Sequence, residues 1–208
     1  MSRTLFIGDV HGCVEELAEL FEKFSPNADD KIYQVGDLIN KGPDSPATLK
    51  FILKHNIKCV MGNHEAKLLQ ILSKPKAELT PKELKFLENV QKPEWIASVV
   101  SEFPFWIDTG REILLHAGLE PEKKTLEEMS LKSILTIRLW NERPWYEQTA
   151  FNGRTIIFGH WAMNGLIDFP HAKGLDTGCV YGKLLTGYCP EENRFYQVTA
   201  KTAYISIC

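Results

Sequence analysis

The chain reads as an α/β protein. Three short apolar runs alternate with three amphipathic stretches between residues 4 and 72, and a glycine-flanked polar signature follows each run. Thr4 to Ile7 is apolar and stops at Gly8, which predicts a first strand. Val14, Leu17, Ala18, Phe21 and Phe24 follow at helical spacing. Lys31 to Val35 predicts the next strand and Pro46 to Leu53 the next helix. Ile57 to Met61 and Glu65 to Leu72 repeat the pair. A β-α-β-α-β-α order implies a partly parallel sheet, and loops leaving the C-terminal ends of its strands are where a site belongs.

Residues 73–110 change character and predict a helical insertion covering one edge of the site. Thr80-Pro81-Lys82-Glu83 has the form of a capping box with Pro at the first helical position. Trp95, Val99, Val100 and Phe103 recur at helical spacing. Glu112 to Leu115 returns to strand, and Leu126 to Glu147 is expected to be mostly helical. The last third predicts strands at Thr155–Phe158, Leu184–Thr186, Phe195–Val198 and Thr202–Ile207. No repeat or linker interrupts the chain, so residues 1–208 are expected to form one domain.

Composition excludes collagen-like, disordered and coiled-coil classes: 44% of the 208 residues are hydrophobic and 25% charged. The net charge, 24 − 27 = −3, argues against general nucleic-acid binding or attachment to a membrane surface. No apolar run has the length of a membrane span and no basic-then-apolar leader is visible. The five cysteines (Cys13, Cys59, Cys179, Cys189, Cys208) form no CxxC pair, which fits free thiols in a reducing cytoplasm.

Five signatures carry the chemistry. They are Gly8-Asp9-Val10-His11-Gly12, Gly36-Asp37-Leu38-Ile39-Asn40-Lys41-Gly42, Gly62-Asn63-His64-Glu65, His116-Ala117-Gly118 and Gly159-His160. Each places an oxygen or nitrogen donor where a strand runs out. The candidate metal ligands are Asp9, His11, Asp37, Asn63, His116 and His160. A mixed carboxylate, imidazole and amide set suits Mn, Fe or Zn, whereas Ca prefers oxygen alone. Six donors exceed what one open catalytic ion needs, but they suit two, with Asp37 as the candidate bridge. Two ions about 3.5–4 Å apart can clamp the oxygens of an in-line phosphoryl displacement. They also supply positive charge that this acidic chain otherwise lacks.

This set of motifs resembles the calcineurin-like metallophosphoesterase superfamily, specifically its phosphoprotein-phosphatase branch. That branch holds Ser/Thr protein phosphatases, bacteriophage and bacterial phosphatases, and symmetrical diadenosine tetraphosphatases. The resemblance runs from residue 5 to residue 188. It implies two packed mixed β-sheets flanked by helices and a centre of two divalent metal ions, Mn foremost, with Fe, Zn, Co or Mg as alternatives. It assigns Asp9, His11, Asp37 and His160 to one ion. Asp37, Asn63, His116 and a further imidazole would hold the other, and His171 is the spare imidazole in the last third. His55 has no role. His64 resembles the branch's general acid, protonating the leaving oxygen while a metal-held hydroxide attacks directly.

Departures from the branch bear on the substrate. Its second motif ends in Asp-Arg-Gly where this chain has Asn40-Lys41-Gly42. Asn40 can still accept a hydrogen bond from His64, and Lys41 offers a point charge without a planar fork. Met61 stands where protein phosphatases carry a phosphate-gripping Arg. Arg138 and Arg143, flanking Leu139-Trp140-Asn141-Glu142, are the candidate replacements or else plain surface residues. Gly159-His160-Trp161-Ala162 and Leu175-Asp176-Thr177-Gly178-Cys179 resemble the tetraphosphatases. There Trp161 is expected in core packing ahead of base stacking, and Asp176 in a turn. The expected function is hydrolysis of dinucleoside polyphosphates, with a protein phosphatase acting on phosphoproteins as the rival.

Overall fold

The computed structural model describes residues 2–206. The expected alternation is present as β1 (Thr4–Ile7), α1 (Val14–Phe24), β2 (Lys31–Gln34), α2 (Ser45–Lys54), β3 (Lys58–Cys59) and α3 (Asn63–Leu72). Then come α4 (Pro81–Val90), α5 (Pro93–Val100), β4 (Trp106–Asp108), β5 (Glu112–Leu115) and α6 (Leu131–Thr136). A hairpin of β6 (Leu139–Trp140) and β7 (Arg143–Pro144) precedes β8 (Thr155–Phe158), β9 (Ile167–Phe169), β10 (Ala172–Gly174), β11 (Leu184–Cys189) and β12 (Arg194–Thr199).

These strands form two mixed five-stranded sheets, ordered β12-β11-β1-β2-β3 and β4-β5-β8-β10-β9. In the first, β1, β2 and β3 are parallel and β11 runs against β1. In the second, β5, β8 and β10 are parallel. Period-two alternation sorts β1 between two layers. Leu5 and Ile7 join the cluster under the helices, while Phe6 turns to the inter-sheet layer with Tyr33, Leu114, Ile157 and Tyr188. A third cluster, centred on Trp145 and Phe158, covers the outer face of the second sheet. The two parallel cores therefore present the C-terminal ends of β1, β2, β3, β5 and β8 in one place.

Helix α1 shows why the sequence folds as it does. Glu15 and Glu16 sit in its first turn and Lys23 in its last, matching the helix dipole. Leu17, Leu20 and Phe24 face the sheet, and Ser25 ends the helix in a left-handed conformation, φ 50°. The capping box at Thr80 and Glu83 opens α4 as expected.

Three expectations need correction. Leu126–Glu147 is not mostly helical: α6 is six residues long, and Asn141 and Glu142, both at positive φ, make the tight turn of the β6–β7 hairpin. Thr202 onward is no strand, because among the described residues only Ala203 pairs, as an isolated bridge to Tyr181. Ile207 and Cys208 fall outside the described residues. Residues 106–108 form β4 inside the stretch expected to be helical, and β9 and β10, three residues each around Pro170-His171, were too short to show a period.

Leu20 is fully buried between α1 and the first sheet. Leu20→Ala is expected to lower unfolding free energy by about 2–5 kcal/mol through lost burial and a residual cavity. An unchanged urea midpoint would contradict this packing.

Candidate metal centre

The loops at the strand ends are zipped to one another before any side chain is considered. Val10 and His11 donate their backbone N–H to the Asp37 carbonyl at 3.2 and 2.8 Å, and Gly12 donates to Leu38 at 2.7 Å. In the second sheet Gly159 N–H donates to the His116 carbonyl at 2.8 Å. The sheets are joined where His160 N–H meets both Asp9 carboxylate oxygens at 3.2 Å. Gly159 is required at this junction, since an added Cβ would fall 1.9 Å from Asp9 Oδ1.

Glu65 organises the second loop. Its buried carboxylate accepts from the backbone N–H of Asp37 (2.8 Å), Leu38 (2.9 Å), Ile39 (3.2 Å) and Gly62 (3.0 Å). Burial, then the nearby Asp37 charge, pushes its carboxyl upward, and the amides pull the other way. With the loop so held, Asp37 adopts φ 56° and its Oδ1 accepts from His64 N–H at 2.9 Å, at the positive end of α3. His11, Asn40, Lys41 and His160 also have positive φ. A non-glycine residue there costs roughly 1–2 kcal/mol, and such strain clusters at functional sites.

The imidazoles are aimed by backbone carbonyls. A carbonyl only accepts, so Nδ1–H of His11 donates to Ile39 at 3.1 Å and Nδ1–H of His116 to Val35 at 2.9 Å. Burial, followed by Lys41 for His11, lowers the pKa of both rings, to about 4 for His116. Both rings are thus neutral, with the Nε2 lone pair inward. His116 Nε2 lies 2.9 Å from Asn63 Oδ1 and 3.5 Å from Asp37 Oδ1. His11 Nε2 is 3.5 Å from Asp37 Oδ2 and 2.9 Å from Lys41 Nζ. His160 Nδ1 reaches the same Asn63 oxygen at 2.9 Å.

This donor set fits divalent metal. Lone pairs of His116 and Asn63 facing each other repel, and a cation between them removes the repulsion. Burial first, then Asp176 and Asp37, pushes the Asp9 carboxyl far upward, while burial brings Asp37 to about 7. Such groups gain most from a nearby cation. Imidazoles whose second nitrogen is held by a carbonyl are the usual form of a metal-ligating histidine. Ligand atoms of Asp37, His116 and His160 lie within 4.8 Å of one another, as do those of His11, Asp37 and His64.

The structure brings the six predicted donors into one neighbourhood. His160 was expected beside Asp9 and His11. Its ring instead joins Asn63 and His116, because only its backbone N–H faces Asp9. Its ring nitrogen stands where the further imidazole was expected, a place that His171 does not take. His171 points away, with its ring nitrogen 2.7 Å from the Tyr146 carbonyl. Arg138 lines the cavity with its guanidinium 3.4 Å from the His160 carbonyl. Arg143 is corrected: it is exposed, turned to Glu147 at 3.8 Å, and does not line the cavity. Lys41 lies over the Tyr181 ring at 5.5 Å. Trp161 lies partly buried at the cavity and also packs against the second-sheet cluster.

His64 sits part-buried beside this group, with Nε2 3.8 Å from Asp37 Oδ2. Phe86 of α4 stacks on its ring at a centroid distance of 6.0 Å. The Asn40 amide meets His64 Nδ1 at 3.0 Å. Asn40 Oδ1 is otherwise buried without a partner. The amide orientation that satisfies it has Oδ1 accepting from His64 Nδ1–H.

The cavity has a volume of about 370 Å³ and includes Tyr181, Ile205 and Ser206 on its rim. A larger one, about 610 Å³, lies at the opposite ends of β2 and β3 around Lys31, His55 and Lys58, and holds none of the five signatures. Two contributors were missed in the sequence. Asp176 does make a turn, accepting from Gly178 N–H at 3.1 Å, but it is also buried against Asp9 in the cavity. Glu65 was expected in the Gly62-Asn63-His64-Glu65 signature and at the start of a helix, but its grip on the β2 loop was not, although an acid at the third helical position signals a side chain reaching back.

Such a cluster of histidine, carboxylate and amide donors at the ends of two packed mixed sheets defines a metal-dependent phosphoesterase. The calcineurin-like phosphoesterase family matches residues 2–192, and the chain belongs to that family. The chain resembles the symmetrical bis(5'-nucleosyl)-tetraphosphatase of Shewanella oneidensis at 29% identity over 87% of its length and 92% of the relative. The enzyme of that name from Pseudomonas putida (strain GB-1) is 27% identical over 93% and 92% of the two chains. A crystal structure provisionally named a diadenosine tetraphosphatase superposes with TM-score 0.82 at 29% identity, covering 96% of this chain and 94% of that one. A serine/threonine phosphatase from Saccharomyces cerevisiae shares the fold, with TM-score 0.61 at 16% identity over 97% and 80% of the two chains.

Glu65→Gln places an NH2 group against backbone N–H donors. It is expected to cost about 2–4 kcal/mol in urea unfolding and to weaken metal uptake. Full stability with normal uptake would remove Glu65 from its organising role.

Proposed function

We propose that the protein is a cytoplasmic, dinuclear-metal phosphohydrolase acting on dinucleoside polyphosphates. The observation that carries this is the convergence of Asp9, His11, Asp37, Asn63, His116 and His160 around Asp37, read with the tetraphosphatase relatives. Asp9, His11 and Asp37 would hold one ion and Asp37, Asn63, His116 and His160 the other. The mixed oxygen and nitrogen set favours Mn, with Fe, Zn, Co or Mg also accommodated. When bound, the ions supply Lewis-acid polarisation of a phosphoryl oxygen and a lowered pKa for the attacking water.

The chain's own residues do the rest. Asn40 fixes the His64 ring through Nδ1, leaving Nε2 directed into the cavity to hold the proton that the leaving oxygen needs. Lys41 and Arg138 line the cavity as the positive groups for the remaining phosphates. A cavity of about 370 Å³ suits a polyphosphate segment and leaves the nucleosides to the rim at Trp161, Met163 and Tyr181. The site draws on both sheets, which supports a single domain. The buried free thiols Cys13, Cys59, Cys179 and Cys189 favour a reducing compartment.

A Mn-supplemented assay on diadenosine tetraphosphate, phosphopeptide, inorganic polyphosphate and an aryl phosphate tests the reading. The expected product of the first is two ADP. Strong phosphopeptide turnover with none on the dinucleotide would make the protein a phosphomonoesterase instead. His64→Ala is expected to retain metal by elemental analysis while kcat falls about 10²–10⁴-fold. Asp37→Ala is expected to lose both metal and turnover.

A further inference from the structure

We propose that Cys13, Glu16 and Cys179 form a separate site for one thiophilic divalent cation of the zinc class. All three side chains are buried, Cys13 and Glu16 at 0% and Cys179 at 1% exposure. One ligand atom from each lies within 4.8 Å of the other two. Glu16 Oε1 is satisfied, accepting from Tyr204 Oη at 2.8 Å and from the Lys201 backbone N–H at 3.0 Å. Glu16 Oε2 is buried with no hydrogen-bond partner. An orphaned carboxylate oxygen is costly in a protein interior and calls for a partner, which an ion, a proton or a water can supply.

Two sulfurs and one carboxylate oxygen make a softer set than the centre at Asp37, which offers no sulfur. Zinc takes Cys and carboxylate ligands together, and three protein ligands leave one position open. On binding, both thiols release their protons to water, so two thiolates and the Glu16 carboxylate face the cation.

The site joins three segments that frame the cavity. Cys13 precedes α1 and lies two residues beyond His11. Cys179 lies three residues beyond Asp176. Through Tyr204 and Lys201, Glu16 holds the segment whose Ile205 and Ser206 line the cavity rim. An ion here would cross-link these segments from behind the catalytic groups.

Cobalt titration of the reduced, full-length protein under anaerobic conditions tests the site. Sulfur-to-cobalt charge transfer in the near ultraviolet reports thiolate ligation, which the histidine and carboxylate centre cannot produce. The band's final amplitude is expected to match one thiolate-ligated ion per chain, in addition to cobalt taken up by the histidine and carboxylate centre, and the band is expected to be displaced by zinc. It should vanish in Cys179→Ser, or in Cys179→Ala should the serine variant lose its native circular dichroism. Glu16→Gln keeps both sulfurs and is expected to raise the cobalt Kd by about tenfold or more. The proposal is overturned by the absence of a band in the native protein with its thiols reduced. A band that persists unchanged in a folded Cys179 variant overturns it equally.

Discussion

Everything at the centre depends on one carboxylate taking four backbone N–H groups. Glu65 holds Asp37, Leu38, Ile39 and Gly62 at 2.8–3.2 Å. It thereby forces the β2 loop to turn back before it can continue as strand. Without that grip the left-handed Asp37 would relax by roughly 1–2 kcal/mol, and its oxygens would leave the midpoint between His11 and His116. The acid that never reaches the cavity sets the position of the acid that does.

The same logic recurs around the cavity. His11 and His116 are turned by carbonyls of Ile39 and Val35, and His64 by the Asn40 amide. The ring nitrogens of His11 and His116 are positioned by main chain just beyond β2, so their geometry follows how β1 and β5 dock against that loop. That explains why the donors sit directly at strand ends. A longer loop would leave each nitrogen with more conformations to lose on binding.

Much of this was legible in the sequence because it is local. The alternation through residue 72 survived, since each apolar run is bounded by glycine and each helix carries a clear stripe. The clustering of the six candidate donors was legible for the same reason: each lies within four residues of a strand end. What failed was non-local. The partition of His160 depends on which of its atoms faces Asp9, a fact of sheet docking that no spacing encodes. Arg143 and Arg138 look equivalent along the chain, and only the left-handed pair Asn141-Glu142 turns one toward Glu147 and away from the cavity. Asp176 read as a turn residue because it is one, and burial beside Asp9 was invisible.

Asp9, His11, Asp37 and Asn63 follow strands of one sheet, whereas His116 and His160 follow strands of the other. The layer between them is largely apolar, built on Phe6, Leu114, Ile157 and Tyr188, and apolar contact resists separation better than it resists sliding. Cations held from both sides would act as rivets, fixing the shear of one sheet over the other. Metal uptake and sheet docking would then be coupled. An ion present at a hundred times its dissociation constant adds about 2.7 kcal/mol to the stability of the docked form. In that sense the centre would serve the protein's architecture as well as its chemistry.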